Sequence, residues 1–165
     1  MMSKTSGVAA PGAEAPSVEL EMFSPQGQSL GVTVLPKVLL TEAQWRSKLA
    51  PDSFRVARKD GTERAFSGAT WNNHEPGIYT CVCCETPLFT SDAKFDSGTG
   101  WPSFWAPLSA RNIVESSDRS FLMVRTAVSC RRCDAHLGHV FDDGPPPTGL
   151  RYCMNSAAMQ FLPRG

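Results

Sequence analysis

The sequence lacks an excess of charge of either sign. Lys and Arg number 16, Asp and Glu number 16, and the net charge at neutral pH is zero. A protein whose main task is to grip nucleic acid or an anionic membrane carries a cationic excess, so neither is expected as a partner. No apolar run reaches the length of a membrane span. Long stretches of helical periodicity are also scarce. Short strand-like runs outnumber them, and Gly and Pro number 13 each, which predicts a loop-rich, mostly β protein. Large apolar side chains are sparse from Met1 to about Pro36, so residues 1–37 are expected to be a flexible tail. That tail lacks the apolar centre of a secretory signal. With one Lys, no Arg and three acids (Glu14, Glu19, Glu21) it is also a poor organellar presequence, although import by this tail stays open. The expected location is the cytoplasm. The remaining residues, 38–165, suffice for one domain with a core of its own. Zero net charge without an apolar stripe predicts a monomer.

What the chain does have is cysteine: Cys81, Cys83, Cys84, Cys130, Cys133 and Cys153. In a reducing compartment paired cysteines favour metal or redox chemistry over structural disulfides. Cys81-x-x-Cys84 and Cys130-x-x-Cys133 form two knuckles, the spacing of a tetrahedral structural zinc site. Four thiolates leave zinc no open position, so the metal stabilises rather than catalyses. Disulfides or free thiols are the alternatives. Cys83 is surplus inside the first knuckle, either a bystander turned away from the metal or a second redox thiol.

Cys153 belongs to no pair. It lies in Leu150 to Phe161, whose rough alternation predicts a half-buried strand. On a strand Arg151, Cys153 and Asn155 share one face. A guanidinium and an amide beside a thiol are what a reactive thiolate needs. A buried structural cysteine is the other reading.

Elsewhere, Thr41-Glu42-Ala43-Gln44 has the form of a capping box, leading into a helix with Trp45 and Leu49 on one face. Pro51 starts a second helix with Phe54 and Ala57 as apolar contacts and Gly61 as its stop. Glu63 and Arg64 read as a solvated pair in a loop, and His74 as a surface histidine. Trp101, Phe104 and Trp105 sit in a Gly- and Pro-rich loop, each either core or presented to a ligand. Asn112–Glu115 and Phe121–Val128 read as a hairpin around Ser116 to Arg119. His136 and His139, three apart on a strand, are expected on opposite faces and therefore not as a joint metal pair. One of them is suited to orient or protonate a group near the thiol.

Several of these residues occur together in one order: Cys81-x-x-Cys84, Gly98-x-Gly100-Trp101-Pro102-Ser103-Phe104, Cys130-x-x-Cys133-x-x-His136-Leu137-Gly138-His139-Val140-Phe141-x-Asp143-Gly144-Pro145, and Arg151-Tyr152-Cys153-x-Asn155-Ser156. From about Leu40 to Phe161 the chain resembles the methionine-R-sulfoxide reductase B family. The resemblance implies two antiparallel sheets in a small open barrel or tent, with short N-terminal helices and structural zinc. It implies Cys153 as nucleophile, attacking the sulfoxide sulfur of an oxidised methionine in a protein or peptide and becoming a sulfenic acid. Trp101 would pack on the substrate methyl group, with Phe141 as a further substrate contact. His136, His139 and Asn155 would hold water and the sulfoxide oxygen, and Arg151 would lower the thiol pKa. Many relatives carry a resolving cysteine between the two glycines, where this chain has Thr99. The sulfenic acid is then reduced either directly, by a thioredoxin-like protein or a small thiol, or by Cys83. A rival reading is a non-catalytic zinc-pinned β module with Trp101, Phe104 and Trp105 as an aromatic cage.

Overall fold

The capping box forms as written. In the computed structural model the Thr41 N–H donates to Gln44 Oε1 at 2.8 Å, and the Gln44 N–H donates to Thr41 Oγ1 at 3.1 Å. It opens helix α1 (Glu42–Lys48), and Pro51 occupies the first position of α2 (Pro51–Lys59). The structure describes residues 15–119 and 123–165. The apolar sides of both helices are buried through Trp45, Phe54, Val56 and Ala57. The second helix ends one residue earlier than Gly61. Asp60 takes the left-handed conformation (φ 58°), and the Gly61 N–H closes the end on Arg55 O.

The protein is mostly β. Among the described residues the strands form three antiparallel sheets. A three-stranded sheet has the order β11 (Met159–Pro163), β3 (Gly77–Cys81), β4 (Pro87–Thr90). A six-stranded sheet runs β5 (Lys94–Phe95), β6 (Ser103–Phe104), β10 (Arg151–Met154), β9 (His136–Phe141), β8 (Arg125–Cys130), β7 (Ile113–Asp118). Tyr79, Phe89, Phe104, Leu137 and Met154 fill the core with the helix residues. Phe104 stacks on Phe89 at 4.5 Å. It is fully buried and unable to line a cage.

The third sheet corrects the expected tail. β1 (Ser17–Phe23) and β2 (Ser29–Pro36) make an antiparallel hairpin, and residues 1–14 lie outside the described residues. The hairpin holds because the domain supplies its missing partners. Fully buried Asn112 accepts from the Glu21 N–H at 2.9 Å and donates to Glu21 O at 2.8 Å and Pro87 O at 2.7 Å. Leu20 is completely buried beneath it. Asn112→Ala strands these buried backbone groups, at about 1–3 kcal/mol for an unsatisfied buried group. A thermal unfolding scan is expected to show the midpoint lowered by several degrees. An unchanged midpoint would mean that the hairpin is not docked through Asn112.

The stretch 150–161 is not one strand. β10 ends at Met154, a 3-10 turn covers Ser156–Ala158, and β11 joins the other sheet. This segment therefore carries the chain from one sheet to the other. Strands β7 and β8 pair with Asp118 opposite Arg125, so Ser116 to Asp118 continue the strand that was expected to end at Glu115. Phe121 and Leu122 lie outside the described residues.

Candidate active site

Cys153 stands in the middle of the six-stranded sheet, opposite Ser103 on β6 and His139 on β9. Directly opposite residues bring their Cβ atoms to about 5 Å. The thiol is half-buried. It opens into a cleft of about 270 Å³ whose lining includes Thr99, Trp101, His139, Phe141, Arg151 and Asn155. β9 approaches β10 closely at this point because residue 138 is glycine. A Cβ there would collide with the Cys153 carbonyl.

The charge around the thiol is balanced rather than simply positive. Arg151 binds Asp143 through Nε at 2.8 Å and Nη2 at 3.1 Å, and its guanidinium stacks 4.5 Å over the Phe141 ring. Burial pushes the Cys153 thiol up, while Arg151 and the Thr99 hydroxyl pull it down and Asp143 works against them. The net direction is upward, because burial outweighs the downward pull that Arg151 exerts.

Thr99 heads a chain of hydroxyl groups. Its Oγ1 lies 2.8 Å from Ser97 Oγ, which lies 2.8 Å from Ser103 Oγ, which donates to Trp101 O at 3.0 Å. Each hydroxyl has one proton. The Ser103 proton is committed to the carbonyl, so Ser97 gives its own to Ser103. Thr99 keeps a proton that turns toward Ser97 beside a thiol and toward sulfur beside a thiolate. Alkylation of Cys153 by iodoacetamide should therefore climb with pH to a midpoint above the ordinary thiol range. Thr99→Val removes a donor that favours the charged form, so the midpoint moves higher and alkylation at neutral pH slows, roughly three- to tenfold. An unmoved pH profile would remove Thr99 from this role.

The two histidines sit side by side, contrary to strict alternation. Their ring centroids are 5.3 Å apart. Ser129 pairs with His136 and Val128 with Gly138, so Leu137 is an extra residue and β9 carries a bulge. One extra residue turns a three-residue spacing onto one side of the sheet. His139 Nε2 lies 2.9 Å from Asp118 Oδ2, and His139 lines the Cys153 cleft. His136 lines an adjoining polar cavity of about 520 Å³ that shares Thr62, Arg125 and His139 with the cleft. Burial, then the nearby His139, holds its pKa below the usual histidine value, so His136 is neutral at neutral pH.

Asn155 is 3 % exposed, and its amide is already engaged. Its Nδ2 donates to Leu137 O at 3.0 Å and its Oδ1 accepts from the Glu63 N–H at 3.0 Å. Glu63 is the residue that sequence reasoning missed. It is 6 % exposed rather than solvated, and its partners Trp101 and Asn155 lie far along the chain. The signal present was a carboxylate two residues after the glycine that stops a helix, with Gly68 closing the same loop. Trp105 is half-buried, and His74 is exposed and paired with Asp96 at 3.0 Å.

Away from the cleft, the two cysteine knuckles repeat one another. Cys81 bonds the carbonyl of Thr86 and Cys130 that of Ala135, each at 2.9 Å. Glu85 and Asp134 both take the left-handed conformation, at φ 67° and 65°. Cys81, Cys84, Cys130 and Cys133 are positioned to hold a metal ion, with all four sulfurs within 4.8 Å of one another. The Cys81–Cys133 and Cys84–Cys130 sulfurs are 3.6 and 3.5 Å apart. A tetrahedral ion with metal–sulfur bonds of about 2.3 Å sets its ligands roughly 3.8 Å apart, so the group fits. The same separations are far too long for disulfides. Cys83 is buried, its Sγ takes Arg58 Nη1 at 3.8 Å, and its backbone N–H donates to Cys81 Sγ at 3.4 Å.

The SelR domain family matches residues 49–163. The chain is 60 % identical over 125 residues, 76 % of this chain and 91 % of the relative, to a peptide methionine sulfoxide reductase MsrB of Herminiimonas arsenicoxydans. It is 57 % identical over 124 residues, 75 % and 94 % of the two chains, to one of the same description from Thiobacillus denitrificans. A third, from Synechococcus sp., is 56 % identical over 129 residues, 78 % and 95 %.

Proposed function

The chain belongs to the peptide methionine sulfoxide reductase MsrB family, and on that premise we propose that it reduces the R epimer of methionine sulfoxide in proteins and peptides. The observation that carries this is Cys153 at the floor of a cleft with an indole and a phenyl ring in its walls and a histidine opposite. The reductase domain runs over 38–165, with the β1–β2 hairpin as an addition to it, and acts as a monomer.

The Cys153 thiolate attacks the sulfoxide sulfur. Attack forms a bond between the two sulfurs as a proton reaches the sulfoxide oxygen. That bond and the methionine S–O bond then break as the oxygen bonds to the cysteine sulfur, so one thiolate, one proton and one sulfoxide become one sulfenic acid and one methionine. Trp101 and Phe141 receive the methyl and side-chain carbons of the substrate. His139 delivers the proton, its ring held by Asp118 at Nε2. His136 is neutral and supports its neighbour, Asn155 keeps the end of β10 and the bulge of β9 in place, and Arg151 favours the thiolate.

Two thiols of an external reductant then return the sulfenic acid to thiol, with release of water and formation of the reductant's disulfide. Thr99 cannot form a disulfide, and Cys83 is 1 % exposed and lines no part of the Cys153 cleft. Both facts favour direct reduction by a thioredoxin-like protein or a small thiol. Zinc is the ion we assign to the four sulfurs, because a closed tetrahedral thiolate set suits it.

The test is turnover of a peptide carrying both sulfoxide epimers, with dithiothreitol as reductant and the epimers resolved chromatographically. Loss of the R epimer alone supports the assignment. Loss of the S epimer alone, or of neither by folded protein, overturns it.

A further inference from the structure

Every polar group of Glu63 is engaged, and its backbone N–H and carbonyl hold two residues that line the cleft. Its N–H donates to Asn155 Oδ1 at 3.0 Å, and its carbonyl accepts the Trp101 indole N–H at 2.9 Å. Its carboxylate accepts the Ser156 N–H at Oε2 and the Ala157 N–H at Oε1, both at 2.9 Å. The side chain is buried. The loop closes over it so tightly that a Cβ on Gly68 would strike both the carboxylate and the Ser156 hydroxyl.

The carboxylate sits among backbone donors rather than against a cation. Burying a charge this way is costly unless its oxygens are satisfied, and two backbone N–H groups satisfy them. Those two donors open the turn that follows Asn155, so the charge fixes where β10 ends. The placement of Glu63 is itself fixed. Asp60 and Gly61 terminate α2 on Arg55 O, and Arg55 Nη1 holds Thr62 O at 3.3 Å. The far side of the network reaches the β9 bulge, through Asn155 Nδ2 on Leu137 O.

We propose that Glu63 is a positioning residue for the reaction, using its buried carboxylate to hold the Trp101 indole and the Asn155 amide in one arrangement around Cys153. The inference rests on the reductase reading for its link to turnover, but the geometric part does not depend on it. Glu63 does not touch the thiol, and Arg151 and Thr99 set the thiolate without it.

The test uses the full, metal-loaded chain with Glu63→Gln. An amide places one NH₂ against a backbone N–H that needs an acceptor, which pushes the turn and the loop apart. The expected result is a fall in kcat/KM for the sulfoxide peptide on the order of 100-fold, the size of loss a misplacement of about 1 Å brings. Alkylation of Cys153 by iodoacetamide should keep its native pH profile. A purely structural defect would disturb both together. The indole resonance of Trp101 in a ¹⁵N–¹H spectrum, assigned through Trp101→Phe, should be protected from solvent exchange in the native chain and lose that protection in the variant. Glu63→Asp, which retains charge but reaches only one of the two donors, should recover part of the turnover. In a cycle with Trp101→Phe the two losses should not add. Native turnover by Glu63→Gln, an unmoved indole signal, or additive losses would each overturn the proposal. Absence of turnover by the native chain would instead sink the reductase reading, and the indole signal would still decide whether Glu63 holds Trp101.

Discussion

Cys153→Ser is expected to abolish reduction of methionine sulfoxide, by at least about a thousandfold in kcat, while leaving the fold and the bound metal intact. The step asks for a soft, readily ionised nucleophile that can accept an oxygen atom. A serine hydroxyl stays protonated beside Arg151 and has no counterpart of the sulfenic acid. The substitution exchanges one atom at the floor of an open cleft where the native thiol is half-buried, so it strands no core group. Steady-state turnover with dithiothreitol, read beside circular dichroism and metal content, checks this. Residual activity within tenfold of native in folded, metal-loaded protein would exclude Cys153 as the nucleophile.

Removing the metal should have the larger structural effect. Cys81 and Cys84 flank the turn between β3 and β4 in one sheet, and Cys130 and Cys133 flank the turn between β8 and β9 in the other. One ion held by these four sulfurs would therefore join the two sheets at the same end. Cys133, the last of its ligands, stands four residues before Leu137, the extra residue of the bulge that brings His136 and His139 together. Structural zinc contributes apparent free energies of about 10–16 kcal/mol at neutral pH. A domain of this size has a total stability of about 5–15 kcal/mol. The chelated chain should therefore lose cooperative unfolding, with turnover lost in parallel and both restored by added zinc. A metal-free chain, verified by elemental analysis, that melts at the native temperature would contradict this account.

The most local features were the most legible in the sequence. The capping box at Thr41–Gln44, the proline start of α2 and the two knuckles are each decided by residues within a few positions of one another. The lone thiol with Arg151 on its own face was legible for the same reason. What escaped was set by distant partners. Glu63 looks solvated beside Arg64 because the groups that bury it, Trp101, Asn155, Ser156 and Ala157, lie 38 to 94 residues away. The histidine pair depends on a register shift against β8 that nothing in the residues around 136–139 announces. The β1–β2 hairpin did carry a signal, the alternation in Val18-Glu19-Leu20-Glu21-Met22 before Pro25 and Gly27. Its stability, however, comes from Asn112, 91 residues away from Glu21. The end of β10 at Met154 follows from the same long-range contacts, because the Glu63 carboxylate draws the chain into a turn where alternation alone would continue the strand.

The central claim is that Cys153 takes the oxygen itself, and a single turnover without reductant tests it most directly. The metal-loaded chain is mixed with a peptide carrying only the R sulfoxide, quenched with a sulfenic-acid trap, and read by intact-protein and peptide mass spectrometry. The account predicts one methionine formed per chain, one trapped adduct on the peptide containing Cys153, and no cross-link between Cys83 and Cys153. Methionine formed with Cys153 unmodified, or with Cys83 linked to it, would contradict the account.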